Sequence, residues 1–310
     1  MYQYTLSLDG ESVGVWSDTD LASTFAKWKG PLHLTGVVVG PISDQEFLVK
    51  YTDASFKPVT YSDKFVQVTM PFEQLQTGEV LLYAALPFFE VLHQRKQVVT
   101  MHAAAVEFDG RAILLLGKAG AGKTSLTLSL CRNHRARLVG NDIVKVGMSG
   151  NSVLACAGSK YFFLRQESIK RNIPDLLSLF PQSEKDPWTH KIYCSPDRLG
   201  VATCDGQVPI TKSYMVHVDE TMNELYIASA DKMDTRLYLN ENMSRYIRGT
   251  AIALFGQSSQ FMGYIPPFDS LDFFNMRVGL TEALISNTMM VSLSGNLHDT
   301  CQLIVKENGM

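Results

Sequence analysis

The stretch GKAGAGKT, at residues 117–124, decides how the rest of this 310-residue chain is interpreted. It fits the P-loop pattern GxxxxGK[ST], in which a glycine-rich loop joins a strand to a helix. An apolar run at 112–116 predicts the strand, and leucines spaced through 125–131 predict the helix. In such a loop successive backbone N–H groups point at one anion, and the helix N-terminus adds partial positive charge. The stretch therefore predicts a site for the phosphates of a nucleoside triphosphate, ATP or GTP.

The pattern also assigns roles within the stretch. Lys123 would reach the β- and γ-phosphates, and the hydroxyl of Thr124 would bind Mg²⁺. A glycine turn without any ligand is the alternative, and the correct flanking elements argue against it. The predicted nucleotide-binding residues are Gly117, Ala119, Gly120, Ala121, Gly122, Lys123, Thr124 and Ser125.

Composition predicts a folded protein without a cluster of basic residues that would bind nucleic acid or anionic lipid. The hydrophobic fraction is 45%, the charged fraction is 19%, and the net charge of −3 comes from scattered residues. Five cysteines without a CxxC pair are typical of reduced thiols and not of a disulfide framework or a zinc site. The start of the chain lacks signal-peptide features, and its longest apolar stretch, 80–92, is too short to span a bilayer. We therefore expect a cytoplasmic protein.

A predicted hairpin carries a histidine toward the P-loop pattern. Strand-like runs at 101–108 and 111–116 are separated by Asp109-Gly110, a strong two-residue turn signal. In that register the numbers of paired residues sum to 219, which places His102 opposite Gly117. A slip of one residue would break this placement. The alternative is a histidine that only pairs with backbone or water at a strand end.

A carboxylate follows the next predicted strand, at 135–139. Asp142 comes about twenty residues after the loop, where such folds hold Mg²⁺ or activate a nucleophile. The alternative is an ordinary Asx turn at a strand junction.

The remaining elements divide the chain into a β-rich N-terminal domain, 1–74, and a second domain, 75–310. A helix at 73–95 should be kinked or split by Pro87. Further helices are predicted at 21–28, 165–170, 174–180, 240–255 and 271–285. Further strands are predicted at 2–8, 12–16, 32–39, 46–51, 65–70, 143–146, 161–164, 210–218, 224–228, 289–293 and 300–305.

The runs at 101–106 and 110–116, the P-loop and the run at 137–142 resemble HPr kinase/phosphorylase and its wider relatives. These relatives include lasso-peptide kinases that phosphorylate a serine hydroxyl, and they share a P-loop fold with phosphoenolpyruvate carboxykinase. The resemblance is clear over about residues 98–146 and does not include residues 1–75. It implies an α/β P-loop kinase domain with a mixed sheet, and by analogy a homo-oligomer.

The resemblance also implies a catalytic set. The histidine that precedes the loop in the family matches His102, and the second, catalytic acid of the family's acidic pair matches Asp142. The first position of that pair is Asn141 here, a weaker Mg²⁺ ligand than a carboxylate. The implied catalytic residues are Asp142, His102 and Lys123, and the implied metal ligands are Thr124, Asn141 and Asp142. The glycine-rich segment of true HPr kinases is missing, so HPr is not the predicted substrate.

We therefore expect an ATP- and Mg²⁺-dependent transfer of the γ-phosphoryl group to a hydroxyl. A serine of a peptide or protein, a free amino acid and a small metabolite all fit as acceptors. Two alternatives stay open. One is a nucleotide-binding regulatory protein that has lost transfer, and the other is an enzyme that uses the loop as a phosphorylase, a carboxykinase-like enzyme or a plain NTPase.

Overall fold

The computed structural model describes residues 1–26, 37–40, 45–75, 79–181, 186, 191–248, 253–255 and 261–309. It contains two compact units: unit 1 consists of residues 1–100 and 240–278, and unit 2 of residues 101–239 and 279–310. The boundary predicted between residues 74 and 75 falls within unit 1. Mixed parallel and antiparallel sheets with helices place the chain in the α/β class.

The strands are numbered in chain order. They are β1 (Tyr2–Leu8), β2 (Glu11–Ser17), β3 (Val38–Gly40), β4 (Leu48–Asp53), β5 (Lys57–Tyr61), β6 (Phe65–Met70), β7 (Val98–Met101), β8 (Ala104–Phe108), β9 (Arg111–Leu116), β10 (Arg137–Gly140), β11 (Val144–Ser149), β12 (Ser152–Gly158), β13 (Phe162–Arg165), β14 (Lys191–Cys194), β15 (Val208–Val218), β16 (Tyr226–Ser229), β17 (Ala253–Phe255), β18 (Phe261–Tyr264) and β19 (Met289–Gly295).

The α-helices are α1 (Ala22–Ala26), α2 (Phe72–Leu75), α3 (Glu79–Arg95), α4 (Lys123–Asn133), α5 (Gln166–Asn172), α6 (Lys232–Arg248), α7 (Leu271–Asn287) and α8 (Leu297–Asn308). Two 3₁₀ helices cover Pro174–Leu179 and Asp197–Leu199. Within the described ranges, we find no helix with the length and apolar character needed to cross a membrane.

Unit 1 contains a sheet of order β3-β1-β2-β4-β6-β5. Its predicted strands are confirmed, except that residues 32–36 of the run 32–39 lie outside the described part of the chain, and β5 was not predicted. The predicted helix 21–28 appears as α1, and its residues 27 and 28 lie outside the described part. The predicted helix 73–95 appears as α2 and α3, and its residues 76–78 lie outside the described part. Of the two effects predicted for Pro87, a split is wrong, because α3 continues through this proline, and a kink stays a prediction. Nearly all of α3 around Pro87 is buried, and this packing outweighs the loss of one backbone hydrogen bond.

Unit 2 contains a sheet in which β15 joins two halves. One side of β15 continues through β9 and β8 to β10, while its other side pairs with β12 near its start and with β19 along its second half. β15 runs parallel to β9 and β19, and β8 is antiparallel to both β9 and β10. The strands β9, β10, β15 and β19 therefore all end at one edge of the sheet. The helices α4 and α8 contact each other and the strands of this sheet.

Two predictions about the C-terminal part of the chain are wrong. The run 300–305 is not a strand but lies in α8, because Asn296 caps the helix by accepting a hydrogen bond from the Asp299 N–H at 2.9 Å. Leu297, Cys301 and Ile304 recur at helical spacing and are buried. The short apolar run therefore follows the period of a helix and not that of a strand. The predicted helix 240–255 begins at residue 232 and ends at residue 248, and residues 253–255 form β17.

Candidate functional site

The hairpin register predicted from the sequence is confirmed. Phe108 pairs with Arg111 and Ala104 with Leu115, so paired numbers sum to 219. The strand predicted at 101–108 is wrong at its start, because Met101 belongs to β7 and the ladder with β9 begins only at Ala104. His102 therefore lies two residues beyond the last pair, at the sheet edge from which the 117–124 segment emerges.

This 117–124 segment, called the glycine loop below, is seated on β15. The Val218 N–H donates to the carbonyl oxygen of Ala121 at 3.0 Å. Gly122 has φ +83°, and a Cβ atom there would lie 2.5 Å from the Cβ atom of Val218. Only glycine fits both the left-handed backbone and this contact. The loop then continues directly into α4.

The glycine loop presents backbone donors that the fold does not use. Among the described residues, no hydrogen bond is donated by the backbone N–H groups of Ala119, Gly120 and Gly122. Ala119 and Gly120 are exposed, and Gly122 is half-buried. Because unpaired N–H groups beside a helix N-terminus attract an anion, this loop is suited to hold one.

The Lys123 side chain is folded into the loop. Its ammonium donates to the carbonyl oxygens of Gly117 at 2.7 Å and of Lys118 at 3.1 Å. A second group, which the sequence analysis missed, contacts the same place: the Tyr238 hydroxyl accepts from the Gly117 N–H at 2.9 Å and donates to the Gly117 carbonyl at 3.0 Å. Tyr238 lies on α6, 121 residues away, and no local pattern marks it.

The first turn of α4 carries the two predicted hydroxyl residues. Thr124 is half-buried, and the Ser125 hydroxyl is buried and accepts a hydrogen bond from the Asn172 side chain at 3.1 Å. Ser125 is therefore held by α5, while Thr124 remains accessible in part.

The second cluster lies where β10 ends. His102 Nε2 is 3.9 Å from Asp142 Oδ1, and both side chains are partly exposed. Asp142 has φ +66°. The turn is set by a close backbone approach, because a Cβ atom at Gly140 would lie 2.7 Å from the Cα atom of Gly158. The structure thus brings the predicted histidine and aspartate together, at ion-pair distance if the imidazole is protonated.

Asn141 is completely buried beside Asp142. Its backbone N–H donates to the Ser159 carbonyl at 2.7 Å, and its Nδ2 donates to the Tyr161 carbonyl at 3.3 Å. Within the described chain its Oδ1 has no hydrogen-bond partner. The side chain therefore supports the turn that carries Asp142, and its role as a metal ligand stays a prediction. No cluster of three or more His, Cys, Asp or Glu side chains suited to a metal occurs in the described ranges.

The order of the strands determines how far the residues after β10 and after β15 lie from the glycine loop, which follows β9. Gly140, the last residue of β10, pairs with Ala105, and Ala105 pairs with Leu114, so β10 ends two residues before the level at which β9 ends, at Leu116. Since neighbouring strands lie about 4.8 Å apart, β10 is about 10 Å from β9, whereas β15 is about 5 Å from it.

A further carboxylate, also missed from the sequence, follows β15. Asp219 comes directly after Val218, the residue that contacts the loop. Its Oδ1 accepts from the N–H and hydroxyl of Thr221 at 2.9 and 2.8 Å. The backbone hydrogen bond from Thr221, followed by the one from its hydroxyl, holds the pKa of Asp219 below its usual value. The signal in the sequence was an apolar strand that ends in an aspartate.

Comparison with known proteins gives no identity for this chain: it matches no protein-family model and no curated protein.

Proposed function

We propose that this protein is an ATP-dependent phosphotransferase of the P-loop kinase type, which transfers the γ-phosphoryl group to a hydroxyl. The single observation that carries the proposal is the glycine loop, in which three backbone N–H groups have no acceptor among the described residues and the Lys123 ammonium bonds to the Gly117 carbonyl. The His102–Asp142 pair at the same edge of the sheet adds groups for the acceptor.

The glycine loop would hold the phosphates. The backbone N–H groups of Ala119, Gly120 and Gly122 would bind phosphate oxygens. The Lys123 ammonium would leave the two loop carbonyls that it now contacts and would bind the β- and γ-phosphates. This exchange keeps the ammonium hydrogen-bonded in both states.

A Mg²⁺ ion fits the chemistry of the donors at this edge. The Thr124 hydroxyl and carboxylate oxygens are hard ligands that Mg²⁺ prefers. The Oδ1 atom of Asn141, which has no hydrogen-bond partner among the described residues, is a further candidate oxygen just after β10. When bound, the ion would supply positive charge that neutralises the phosphate oxygens.

The acceptor hydroxyl would meet Asp142. Its carboxylate would take the proton or position the hydroxyl, and His102, 3.9 Å away, would orient the carboxylate. General-base assistance typically contributes about 10²–10⁴ in rate, while positioning and charge neutralisation supply most of the remainder. A peptide serine and a small metabolite both remain candidate acceptors.

The experiment combines binding and transfer. Isothermal titration with ATP should give a weaker affinity for Lys123→Ala, while Lys57→Ala, a change at an exposed lysine of β5, should bind as the wild type does. With labelled ATP, Mg²⁺ and a panel of hydroxyl acceptors, Asp142→Asn should lose most turnover but keep ATP binding. An unchanged affinity of Lys123→Ala would refute the role of the loop, and equal losses of binding and turnover in Asp142→Asn would refute the role of Asp142.

One observation favours a second candidate, a nucleotide-binding protein without an acceptor. Asn141 places a neutral amide where the related kinases have an acid. Release of free phosphate from ATP without any acceptor would support a plain NTPase, and binding without any turnover would support a regulatory protein.

A further inference from the structure

We propose that this protein forms a symmetric dimer in which β16 pairs antiparallel with β16 of a second copy. In the sheet of unit 2, β16 pairs with β19 and with no other described strand, so it is an edge strand. The backbone N–H and C=O groups on the outer side of an edge strand can pair with a strand of another chain. The inference is independent of the proposed function, because it involves no nucleotide and no acceptor.

Another edge of the same sheet, β10, is covered by a short segment of the chain. The Leu138 N–H donates to the Ala202 carbonyl at 2.8 Å, and the Leu138 carbonyl accepts from the Cys204 N–H at 2.9 Å. Leu138 also forms a parallel bridge with Thr203. Within the described part of the chain, no strand or bridge covers the outer side of β16 in this way.

The sequence of β16 lacks the features that protect edge strands from pairing. Proline and charged residues commonly prevent such pairing, and the four residues YIAS of this strand include neither. All four are exposed. Tyr226 and Ile227 point to opposite faces of the sheet and are 57% and 52% exposed, so both faces of the strand are accessible.

The hydrogen bonds to β19 determine which backbone groups of β16 point outward. The Ala230 N–H donates to the Met290 carbonyl at 3.4 Å, and Ala228 lies two residues earlier in the same antiparallel ladder. Because bonded residues alternate along such a ladder, Ala228 also bonds to β19. The N–H and C=O groups of Ile227 and Ser229 therefore point away from β19, where a second strand would bind them.

A twofold axis through Ala228 uses these outward groups. Ile227 then exchanges backbone hydrogen bonds with the partner's Ser229, and the same exchange occurs again on the other side of the axis. Tyr226 lies opposite the partner's Ala230. Each large side chain of the strand therefore faces a small one.

Charge favours this register and favours a second copy as the partner. Glu224 and Lys232 are both exposed and lie on either side of β16. With Ala228 on the axis, Glu224 approaches the partner's Lys232, and the symmetry forms this contact twice. An axis one residue later would place Ile227 opposite the partner's Asp231, and an axis one residue earlier would leave Glu224 without a charged residue opposite it.

The first test is the molecular mass in solution, measured by sedimentation over a series of protein concentrations. The wild type should form a dimer. Ser229→Pro removes an outward N–H and no bond to β19, which an edge strand tolerates, so this variant should fold and be monomeric. Ile227→Lys should also be monomeric, whereas Met148→Lys, at an exposed methionine of β11, should remain dimeric. Thermal unfolding of each variant distinguishes loss of the dimer from loss of the fold.

A cysteine on the axis tests the register. Opposite residues of a non-hydrogen-bonded pair have Cα atoms about 4.5 Å apart, which a disulfide can bridge. Ala228→Cys, with oxidised glutathione as the oxidant, should therefore give a covalent dimer on a non-reducing gel. In Ala230→Cys, the matched control, the two new thiols would be about 13 Å apart along the strands and should not link.

These measurements decide the inference without ATP, so their outcome leaves the proposed function as it is. The wild type, treated in the same way, controls for its five native thiols. A wild type that is monomeric at every concentration would overturn the inference, and so would a Ser229→Pro dimer as tight as that of the wild type. A covalent dimer that forms equally in Ala228→Cys and Ala230→Cys, or in neither, would overturn it as well.

Discussion

Replacing Tyr238 by phenylalanine should loosen the glycine loop at its first residue. The hydroxyl of Tyr238 serves both the N–H and the carbonyl of Gly117, at 2.9 and 3.0 Å, and Gly117 is buried. Phenylalanine keeps the ring and removes both bonds. The carbonyl retains the Lys123 ammonium at 2.7 Å, so the N–H is the group that loses its partner.

The loss of stability in Tyr238→Phe is set by the Gly117 N–H, which is left buried without a partner. A buried N–H without a partner costs about 1–3 kcal/mol, so the free energy of unfolding should fall by that amount and the Tm by several degrees. If ATP draws Lys123 away from the loop, the Gly117 carbonyl of the variant loses this partner as well. A further penalty of about 1–2 kcal/mol corresponds to an ATP affinity about 5–30-fold weaker.

Urea unfolding and ATP titration of Tyr238→Phe measure the two effects. Tyr226→Phe is the matched control, because that exposed hydroxyl donates a surface hydrogen bond to Glu224 at 3.2 Å. We expect its free energy of unfolding to change by less than about 0.5 kcal/mol. Wild-type stability in Tyr238→Phe would refute the role of this hydroxyl in the loop. A loss of stability with unchanged ATP affinity would show that Lys123 does not leave Gly117 when nucleotide binds.

Three other changes test the scaffold of unit 2. Gly158→Ala should lower the free energy of unfolding by about 1–3 kcal/mol in a denaturant titration, because its Cβ would lie 2.6 Å from the Cα atom of Gly140; wild-type stability would contradict this contact. The side-chain hydrogen bond from Arg137 holds the pKa of Glu107 below its unfolded value of 4.5, so this carboxylate stabilises the fold above pH 4.5 and the stabilisation is lost on acidification. The free energy of unfolding of Glu107→Gln should therefore depend less on pH as the pH falls below 4.5, and an unchanged profile would exclude this carboxylate as a cause. Asn296→Ala should lower the free energy of unfolding by about 0.5–2 kcal/mol because α8 loses its N-cap, and unchanged thermal unfolding would argue against that cap.

The local parts of the candidate site could be predicted because each depends on neighbouring residues. The glycine loop needs its glycines within eight positions, and a two-residue turn at Asp109-Gly110 fixes the pairing of the strands on both sides. That register correctly predicted the edge of the sheet at which His102 lies, although the pairing of β8 with β9 ends at Ala104, before it reaches His102. Asp142 could be placed because its strand directly follows the loop helix.

Other elements were misassigned where the sequence supports two structures equally. The apolar run at 300–305 is short enough for a strand, and only the cap at Asn296 and the buried face of α8 identify it as a helix. Similarly, Pro87 normally interrupts a helix, and burial of the surrounding helix compensates for the missing hydrogen bond.

The sequence by itself determined the glycine loop, the hairpin and the presence of a histidine and an aspartate near them, because turn chemistry and strand register act over a few residues. Only the tertiary structure decided that β15 lies beside β9 and that α6 reaches the loop. Those placements put Asp219 next to the loop and Tyr238 on Gly117, 121 residues away. Pairing of parallel strands and packing of helices depend on burial across the whole unit, which no local pattern records.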